Sequence, residues 1–387
     1  MTETADVAVI GLGALGSATA YRLAGRGLKV VGFEQFALGH NRGASHDTSR
    51  ILRRSYHTPG YVRLAGEAYD DWAELSAAVG EPLVTVTGGL DLFPPDPAIP
   101  MADYVASLAA CSVPYEVLDD QQVLDRWPRV RLPDGGRALF QADTGIVHAA
   151  RTVAALQRAA VAVGAELREE TRARVCKAGG GGVEIETASG LLHCDRVVVT
   201  ADAWTNNAIE RLGVQLALTV TQEQVSYFVP DDPEHFGPGQ FPVWIWMDEP
   251  SFYGFPTYAG NLVKAGQDVG GRVTTGDTRG FEPDPANLAQ LAAFMRRTFP
   301  GSAGEVDHSV TCLYTLTPDR DFVMSPLPDH PEVVVGLGAG HGFKFTPTFG
   351  RILTDLAVDG ATTSDVSAFG IDRPAMTDPD YPASWLV

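Results

Sequence analysis

The sequence has few cysteines and fewer positive than negative charges. Only four of the 387 residues are cysteine, and they form neither a CxxC pair nor a regular spacing. This pattern gives no support to a disulfide framework or a zinc site, so we expect a reducing compartment, the cytoplasm. The 29 basic residues against 48 acidic ones give a formal net charge of -19. Nucleic acids and anionic membrane surfaces require a basic face, and the composition therefore disfavours both as partners.

Long apolar runs are also missing. The most apolar segment near the start, AVIGLGALGSATA, is interrupted by glycines and follows Glu3 and Asp6 instead of a basic stretch. It is therefore not typical of a signal peptide, and nothing approaches the roughly 18 to 20 apolar residues that cross a bilayer. With 45% hydrophobic and 20% charged residues, the composition is that of an ordinary globular protein. The length predicts a soluble protein of about two domains.

The N-terminal segment predicts a strand, a glycine-rich turn, a helix and a second strand. The turn contains Gly11, Gly13, Leu15 and Gly16, and the second strand ends at Glu34, 23 residues after Gly11. The first two glycines permit a tight turn and let backbone N–H groups approach a pyrophosphate, and the third lets the helix pack closely on the strand. A carboxylate at the position of Glu34 typically accepts a hydrogen bond from a ribose hydroxyl. The unit predicts a dinucleotide site and leaves open whether the dinucleotide is NAD or FAD.

A second glycine-rich element near the C-terminus favours FAD. The segment 332–360 reads as a strand, a loop over 336–342 that contains Gly340 and Gly342, and a helix from about Thr348. Glycines let the backbone lie against a flat ring, and a helix N-terminus aimed at that ring stabilises negative charge on it. A reduced flavin carries such a negative charge, whereas a nicotinamide enzyme does not need a helix N-terminus beside its ring.

The remaining pattern indicates two interleaved domains. Helical periodicity covers 61–80, a hairpin surrounds the glycines at 179–182, and the segment 222–264 alternates aromatic and polar residues as antiparallel strands do. The expected fold class is α/β, with a Rossmann-type FAD-binding domain interleaved with a mostly antiparallel β-sheet substrate domain carrying helices. The expected ranges are 1–85, 145–214 and 305–387 for the FAD-binding domain, and 86–144 and 215–304 for the substrate domain.

An ordered set of motifs gives the chain a specific resemblance to one enzyme family. The motifs are the glycine-rich unit, HDTSRILRRSY at 46–56, FYGFP at 252–256, a lysine eleven residues past Tyr253, TCLYTLTPD at 311–319 and GHGFKF at 340–345. Over nearly its whole length the chain resembles the monomeric sarcosine oxidase family, which includes N-methyltryptophan and pipecolate oxidases. The resemblance implies an FAD-dependent oxidase of a secondary amino acid, N-methyl or cyclic, that forms an imine and reduces O2 to H2O2.

The resemblance assigns roles to Cys312 and Lys264. It implies that Cys312 attaches FAD covalently through the flavin 8α carbon, whereas the thiol read alone is a buried packing group. It implies that Lys264 activates oxygen, since a cation there would stabilise superoxide as it forms. Read alone, Lys264 is a solvated strand lysine.

Further roles concern the substrate and the ring. Arg53 and Lys344 match the family pair that binds the substrate carboxylate, which suits their charge and geometry. The alternative for Arg53 is an ion pair with Asp70 or Asp71. His46 and Arg50 match residues that flank the flavin ring and its attachment site, and His341 matches a pocket histidine beside the ring. The aromatic lining is matched by Tyr253, Phe255 and Tyr314. Read alone, His46 is a hydrogen-bonded structural imidazole and the three aromatic residues are core residues.

One position departs from the family pattern. Sarcosine oxidases carry a histidine four residues after the oxygen-activating lysine, and here that position is Asp268. A carboxylate that faces the cavity favours a cationic or hydrogen-bond-donating amine and raises the pKa of that amine. If Trp244 and Trp246 also face the pocket, the substrate is bulkier than sarcosine. The alternative is that Asp268 faces solvent or pairs with Lys264 and that both tryptophans lie on the outer face of the sheet.

Three rival functions are consistent with parts of the sequence. They are an NAD-linked dehydrogenase, a flavin-binding protein without turnover, and an FAD-dependent amino acid dehydrogenase with an acceptor other than oxygen. The favoured reading has a small secondary amino acid and O2 as partners, with no metal, no nucleic acid and no membrane, and a monomeric protein.

Overall fold

The computed structural model describes residues 3–384. Its strands are β1 (Glu3–Ile10), β2 (Val30–Phe33), β3 (Ser49–Leu52), β4 (Val84–Val86), β5 (Gly89–Phe93), β6 (Glu116–Asp119), β7 (Arg137–Gln141), β8 (Gly145–His148), β9 (Glu166–Arg168), β10 (Arg174–Gly179), β11 (Gly182–Thr187), β12 (Gly190–Val199), β13 (Thr219–Phe228), β14 (Val243–Trp246), β15 (Ser251–Phe255), β16 (Val263–Asp268), β17 (Arg272–Thr274), β18 (Val306–Leu316), β19 (Val323–Leu327) and β20 (His330–Leu337). Its helices are α1 (Ala14–Gly25), α2 (Pro59–Val79), α3 (Met101–Ala110), α4 (Asp120–Arg126), α5 (Ala149–Ala162), α6 (Thr205–Ile209), α7 (Pro285–Thr298), α8 (Thr346–Val358) and α9 (Pro374–Thr377).

An eight-stranded sheet forms the Rossmann-type part of the molecule. The strand order is β10-β11-β12-β1-β2-β9, with β20 paired to β12 and β19 paired to β20. Strand β1 pairs in parallel with β12 and with β2, and β12 pairs in parallel with β20. Helix α1 packs against α5 and α8 beside this sheet. The carboxyl ends of the parallel strands therefore lie at one edge, which is where open α/β sheets bind ligands.

A nine-stranded sheet forms the second layer. The strand order is β17-β13-β16-β15-β14-β5-β7-β6, and β18 pairs with β13. The pairs are antiparallel, apart from the parallel pair β14–β5. Helix α7 packs on β16, and an aromatic core around Phe294 and Phe299 fills the space between them. The predicted fold class is confirmed, with a mostly antiparallel sheet next to the Rossmann-type sheet.

Chain connectivity passes between the two sheets several times. The eight-stranded sheet takes strands from 3–33, 166–199 and 323–337, and the nine-stranded sheet takes strands from 89–141, 219–274 and 306–316. A small third sheet, in the order β3-β8-β4, contacts α5. The domain boundaries given above stay a prediction, and β18, which they assign to the FAD-binding domain, pairs within the nine-stranded sheet.

Local signals in the sequence account for several element boundaries. The helix predicted over 61–80 is α2, and Gly80 ends it with φ 71, a left-handed conformation that glycine adopts without strain. The hairpin predicted at 179–182 is the antiparallel pair β10–β11. After the loop 336–342, α8 begins at Thr346, with Pro347 in its first turn, where a missing N–H is tolerated.

Within residues 3–384, no helix combines the length and apolar character that crossing a membrane requires. The same part of the chain contains no group of three or more His, Cys, Asp or Glu side chains arranged to hold a metal ion.

Candidate active site

One cavity is lined by residues of both large sheets. Its wall includes the glycine turn after β1, Glu34 at the end of β2, and the loop 43–46. The same cavity continues to Arg53, Tyr253 and Lys344. The predicted nucleotide residues and the predicted carboxylate-binding residues therefore face a common space.

Close contacts explain the glycines of the turn. Gly11 has φ +94, and a Cβ added to it would lie 2.6 Å from the carbonyl oxygen of Thr200. A Cβ on Gly16 would collide with the carbonyl oxygen of Gly11, so α1 can approach β1 only at a glycine. The hydroxyl of Ser45 accepts a hydrogen bond from the Ala14 N–H, 3.0 Å away, at the start of α1. This is a turn with its backbone exposed to the cavity and a helix N-terminus behind it, which suits a pyrophosphate.

Glu34 is fixed at the cavity wall by backbone donors. Its Oε2 accepts from the Leu12 N–H at 3.1 Å, and its Oε1 accepts from the Phe36 N–H at 3.1 Å. A carboxylate offers about four lone-pair positions, so these two bonds leave capacity for a ribose hydroxyl. The turn, the helix N-terminus and the acid together fit the adenosine and pyrophosphate portion of FAD.

Arg53 is a buried cation whose acidic neighbour comes from the other sheet. Its side chain is 7% exposed, and Nη1 lies 3.8 Å from Oδ1 of Asp91 on β5. Nη1 also donates to the Ser55 carbonyl at 2.7 Å. The α2 carboxylates considered above are not its partners, since Asp70 is exposed and Asp71 pairs with Arg351 on α8 at 3.1 Å. Sequence reasoning missed Asp91, because no local pattern connects it to Arg53.

Lys344 is a buried cation held by a carbonyl group. It lies in the short 3-10 turn Gly342–Phe345, where Nζ donates to the His341 carbonyl at 2.8 Å. Nζ lies 5.8 Å from the centre of the Tyr56 ring. Burial and the nearby Arg53 hold the pKa of Lys344 well below its ordinary value. A carboxylate ligand would supply the negative charge that stabilises its ammonium form.

Asp268 faces the cavity and pairs with Arg320, which the sequence analysis missed. Arg320 Nη1 and Nη2 donate to Oδ2 and Oδ1 of Asp268 at 2.9 and 2.7 Å. Burial opposes ionisation of Asp268, yet the guanidinium holds its pKa below the ordinary value. Both alternatives for Asp268, solvent and Lys264, are therefore wrong. The pair is close to neutral, so Asp268 does not place an isolated negative charge against the substrate amine.

The two tryptophans of β14 lie on the face away from the cavity. Trp244 is 1% exposed, with its ring centre 4.2 Å from that of Phe299, and the Trp246 ring lies 5.4 Å from that of Phe294. The residues of this segment that line the cavity are Ile245 and Met247. The reading that placed both tryptophans in the pocket is wrong, and the pocket wall here is aliphatic.

Lys264 is buried, and its partner is an aspartate. Nζ is 2.6 Å from Oδ2 of Asp47 and donates to the Ser49 carbonyl at 3.0 Å. Its side chain is 3% exposed, so the solvated strand lysine is excluded. Lys264 does not itself line the cavity, but Phe255 does, and that ring centre lies 4.9 Å from Nζ. Lys264 therefore sits directly behind the cavity wall.

Arg50, His46 and His341 are further polar residues of the cavity wall. Arg50 Nη2 donates to the carbonyl groups of Ala44 and His46 at 2.7 and 2.9 Å, which fixes the loop before β3. Burial and Arg50 lower the pKa of His46 to about 4. Burial and Lys344 hold the pKa of His341 well below its ordinary value. Both imidazoles are therefore neutral at pH 7.

Cys312 lies on β18 next to the cavity wall. It is 8% exposed and pairs in register with Glu223 of β13. Leu313 and Tyr314 line the cavity whereas Cys312 does not. Cys312 and Tyr314 share one face of the strand, and the Tyr314 ring packs against Gly340, where an added Cβ would lie 2.7 Å from the ring. Burial raises the pKa of the thiol to about 11, so it is neutral at pH 7.

Comparisons with known proteins agree with this geometry. The DAO family, described as FAD dependent oxidoreductase, matches residues 6–356. A monomeric sarcosine oxidase of Streptomyces avermitilis is 34% identical over 392 residues, which cover 97% of this chain and 99% of the relative. An N-methyl-L-tryptophan oxidase of Salmonella arizonae is 29% identical over 374 residues, which cover 95% of this chain and 98% of the relative. The solved structure of NikD, an unusual amino acid oxidase essential for nikkomycin biosynthesis, has a TM-score of 0.86 and 28% identity, and the match covers 95% of this chain and 98% of that chain.

Proposed function

Because this chain belongs to the DAO family of FAD-dependent oxidoreductases, as a relative of the monomeric sarcosine oxidases, we propose that it oxidises a secondary amino acid to an imine with O2 as the electron acceptor. The observation that carries the proposal is the pair of buried cations, Arg53 and Lys344, in the same cavity as the dinucleotide turn. A nucleotide-binding fold alone does not specify a substrate, whereas two buried cations specify an anion.

The residues of the nucleotide end would hold the cofactor. Backbone N–H groups of the turn Gly11–Gly16 would bind the pyrophosphate, and Glu34 would accept from the ribose. When bound, FAD supplies the acceptor for the hydride of the substrate C–H bond and passes the electrons to O2. Gly340 and Gly342 also line the cavity, and glycines there would let the backbone lie against a flat ring.

Cations at the other end would orient the substrate. Arg53 and Lys344 would bind its carboxylate, each through hydrogen bonds assisted by charge. The amine and its neighbouring carbon would then lie beside Tyr253 and His341, whose neutral side chains line the same cavity. No side chain here is assigned as a general base.

Other residues of the cavity lining favour a substrate larger than sarcosine. Ile245 and Met247 provide aliphatic contacts, and the Asp268–Arg320 pair offers hydrogen-bonding groups without net charge. The proposed substrate class is therefore a cyclic or N-methylated amino acid whose remaining part is apolar with a polar group. Lys264, behind Phe255, would provide the positive charge that stabilises superoxide.

Several finer features belong to the same proposal. Cys312 would form a thioether with the flavin 8α carbon, which its position beside Tyr314 and the cavity supports. Cys111, Cys176, Cys194 and Cys312 are all free thiols, which is consistent with a reducing compartment such as the cytoplasm. The enzyme would act as a monomer.

Anaerobic mixing of the purified yellow protein with candidate amines tests the proposal. We expect sarcosine, N-methyl amino acids, proline, pipecolate and their unsaturated analogues to bleach the flavin absorbance to different extents, with a cyclic substrate or a larger N-methyl amino acid faster than sarcosine. Admission of O2 should restore the colour and produce one equivalent of H2O2. Bleaching that O2 does not reverse would favour a dehydrogenase, and a colourless protein would exclude the flavin function.

A further inference from the structure

The ion pair of Asp47 and Lys264 was not predicted from the sequence, and several hydrogen bonds hold Asp47 in place. We propose that Asp47 is a positioning residue that keeps Lys264 in its ammonium form behind the cavity wall and thereby sets the pH range in which the enzyme reacts with O2. The effect on the O2 reaction rests on the proposed oxygen-activating function of Lys264. The effect of Asp47 on the protonation and position of Lys264 does not, and it can be tested without turnover.

The backbone of Asp47 is fixed by the start of α5. Its carbonyl oxygen accepts from the Ala150 N–H at 3.0 Å, and the carbonyl of Thr48 accepts from the Ala149 N–H at 3.1 Å. These are N–H groups of the first turn of α5, which have no partner within their own helix. Asp47 has φ 78, a left-handed conformation that aspartate tolerates better than most residues. The loop therefore holds this residue in one orientation.

The carboxylate of Asp47 is buried and directed at Lys264. Its side chain is 8% exposed, and Oδ2 lies 2.6 Å from Nζ. The other oxygen, Oδ1, accepts from the Tyr227 hydroxyl, which also contacts Thr48. Both carboxylate oxygens therefore have partners, so the charge cannot easily turn away from the lysine.

The charged and titratable groups that the structure places near Lys264 are Asp47, Arg50, Cys312, His46 and Tyr227. The Tyr227 ring centre lies 5.9 Å from Nζ, and burial raises the pKa of this phenol, so it is neutral at pH 7. Burial lowers the pKa of Lys264, Asp47 raises it, and Arg50 lowers it. The resulting pKa is about 8. Cys312 also faces it, as a neutral thiol, and His46 is a neutral imidazole at pH 7. Asp47 is thus the carboxylate that opposes burial and Arg50. Without it, both remaining effects act in the same direction and the lysine loses its proton at a lower pH.

The sign of the pH effect follows from this balance. If only the ammonium form stabilises superoxide, the oxygen reaction of the wild-type enzyme declines as the pH rises through about 8. In Asp47→Asn the same decline occurs at a lower pH. At pH values low enough to protonate the lysine, the variant reacts as fast as the wild type, because the charge is restored.

A direct titration of the lysine is feasible because the chain has only four lysines, Lys29, Lys177, Lys264 and Lys344. Holoenzyme labelled with 13C at lysine Cε should give four signals, and Lys264→Arg and Lys344→Arg assign the two buried ones. We expect the wild-type Lys264 signal to titrate near 8 and the Asp47→Asn signal to titrate about one unit lower or more. A wild-type Lys264 that is neutral at pH 7 would overturn the proposal without any variant.

The kinetic test separates positioning from a structural role. Reoxidation of the reduced holoenzyme by O2 is followed from pH 6 to pH 9.5 in the wild type, Asp47→Asn, Asp47→Glu and the control Tyr227→Phe. We expect Asp47→Asn to lose about tenfold in rate at pH 9.5, above both midpoints, for each unit of pKa shift and to recover at low pH. Asp47→Glu keeps the charge and should hold the midpoint near that of the wild type. Tyr227→Phe keeps the Asp47 carboxylate and should shift the midpoint of the pH profile least.

Two results would contradict the proposal. One is an Asp47→Asn profile lowered equally at every pH, which is the signature of disturbed packing. The other is a lysine signal that does not move when Asp47 is replaced. If the wild-type enzyme does not react with O2, the proposed function fails, while the lysine titration still decides whether Asp47 holds the ammonium form.

Discussion

At the scale of single residues, buried cations determine what the cavity can bind. Arg53 and Arg320 each lie beside a carboxylate, Asp91 and Asp268, whereas Lys344 donates to a carbonyl oxygen. A carbonyl provides only a partial charge, so an anionic ligand has most to add at Lys344. The sequence favoured Lys344 over Arg53, because Lys344 lies between two phenylalanines, but it did not show which partner each cation has.

Replacement of Lys344 by Met should weaken substrate binding more than it slows the reductive step. The loss of one charged hydrogen bond is expected to cost about 1.5 to 3 kcal/mol, which is roughly a ten- to hundredfold rise in the dissociation constant. Anaerobic titration of the protein with substrate, followed by the flavin absorbance spectrum, measures this dissociation constant. The matched control is Lys177→Met, since that side chain is 73% exposed and pairs with Glu184 on a surface hairpin. Equal affinity in wild type and Lys344→Met would remove this residue from the substrate site.

Lys264→Met should separate the two half-reactions. Because the positive charge is needed where superoxide forms, reoxidation by O2 should slow by about a hundredfold to a thousandfold, as for other groups that stabilise a developing charge. Bleaching by substrate under anaerobic conditions should change much less. Stopped-flow absorbance measures both rates. A similar loss in both half-reactions would show that Lys264 supports the site in general and does not act on oxygen.

At the scale of elements, the sequence predicted what is decided locally. The glycine turn, the helix α1 and the strand ending near Glu34 all lie within the first 34 residues, and the signals for them are local too. Strand β14 shows where local signals are not sufficient. Alternation predicted that neighbouring residues point to opposite faces of the sheet, but it does not say which face lines the cavity. Trp244 belongs to the aromatic core instead, and Ile245 faces the cavity.

Side-chain partnerships across elements could not be predicted. Asp47 meets Lys264, and Asp268 meets Arg320, only because the loop before β3, strand β16 and the turn after β18 converge in the folded molecule. No periodicity or spacing connects these positions. Arg320 follows directly on the motif TCLYTLTPD, and this adjacency was the one signal that could have drawn attention to it.

Gly16→Ala tests the packing of α1 on the nucleotide turn. The added Cβ would collide with the Gly11 carbonyl oxygen, so the helix must move away from the strand. We expect a loss of bound flavin and about 1 to 3 kcal/mol of stability, as is typical of an overpacked contact. The ratio of flavin to protein absorbance and the melting temperature report the two effects. Gly25→Ala is the control in the same helix, since an added Cβ there meets nothing within 4 Å and the protein should keep its flavin and stability.

At the scale of the whole molecule, the cavity joins two sheets that are separate hydrogen-bonded units. The glycine turn belongs to the eight-stranded sheet, and Cys312 lies on β18 of the nine-stranded sheet. A cofactor that is held by the turn at one end and by Cys312 at the other would connect them. Anything that binds only the folded state also stabilises it, so the flavin is expected to stabilise the joined sheets.

Cys312→Ala should therefore change both the retention of the flavin and the stability of the fold. Acid precipitation of the wild type should leave the yellow colour in the pellet, whereas the variant should release it to the supernatant. The variant stripped of FAD should melt at a lower temperature than the same variant saturated with FAD, because binding to the native state alone raises the melting temperature.

Cys194→Ala is the matched control for this experiment, since Cys194 is also a buried thiol but lies in the core of the eight-stranded sheet. Its replacement leaves a small cavity of the same size and should lower stability without releasing the flavin. Flavin that washes out of the wild type in acid would show that Cys312 is a packing thiol. Flavin that stays in the pellet of Cys312→Ala would place the attachment on another residue. A stripped protein that melts at the same temperature as the saturated one would show that the contact between the two sheets does not depend on the cofactor.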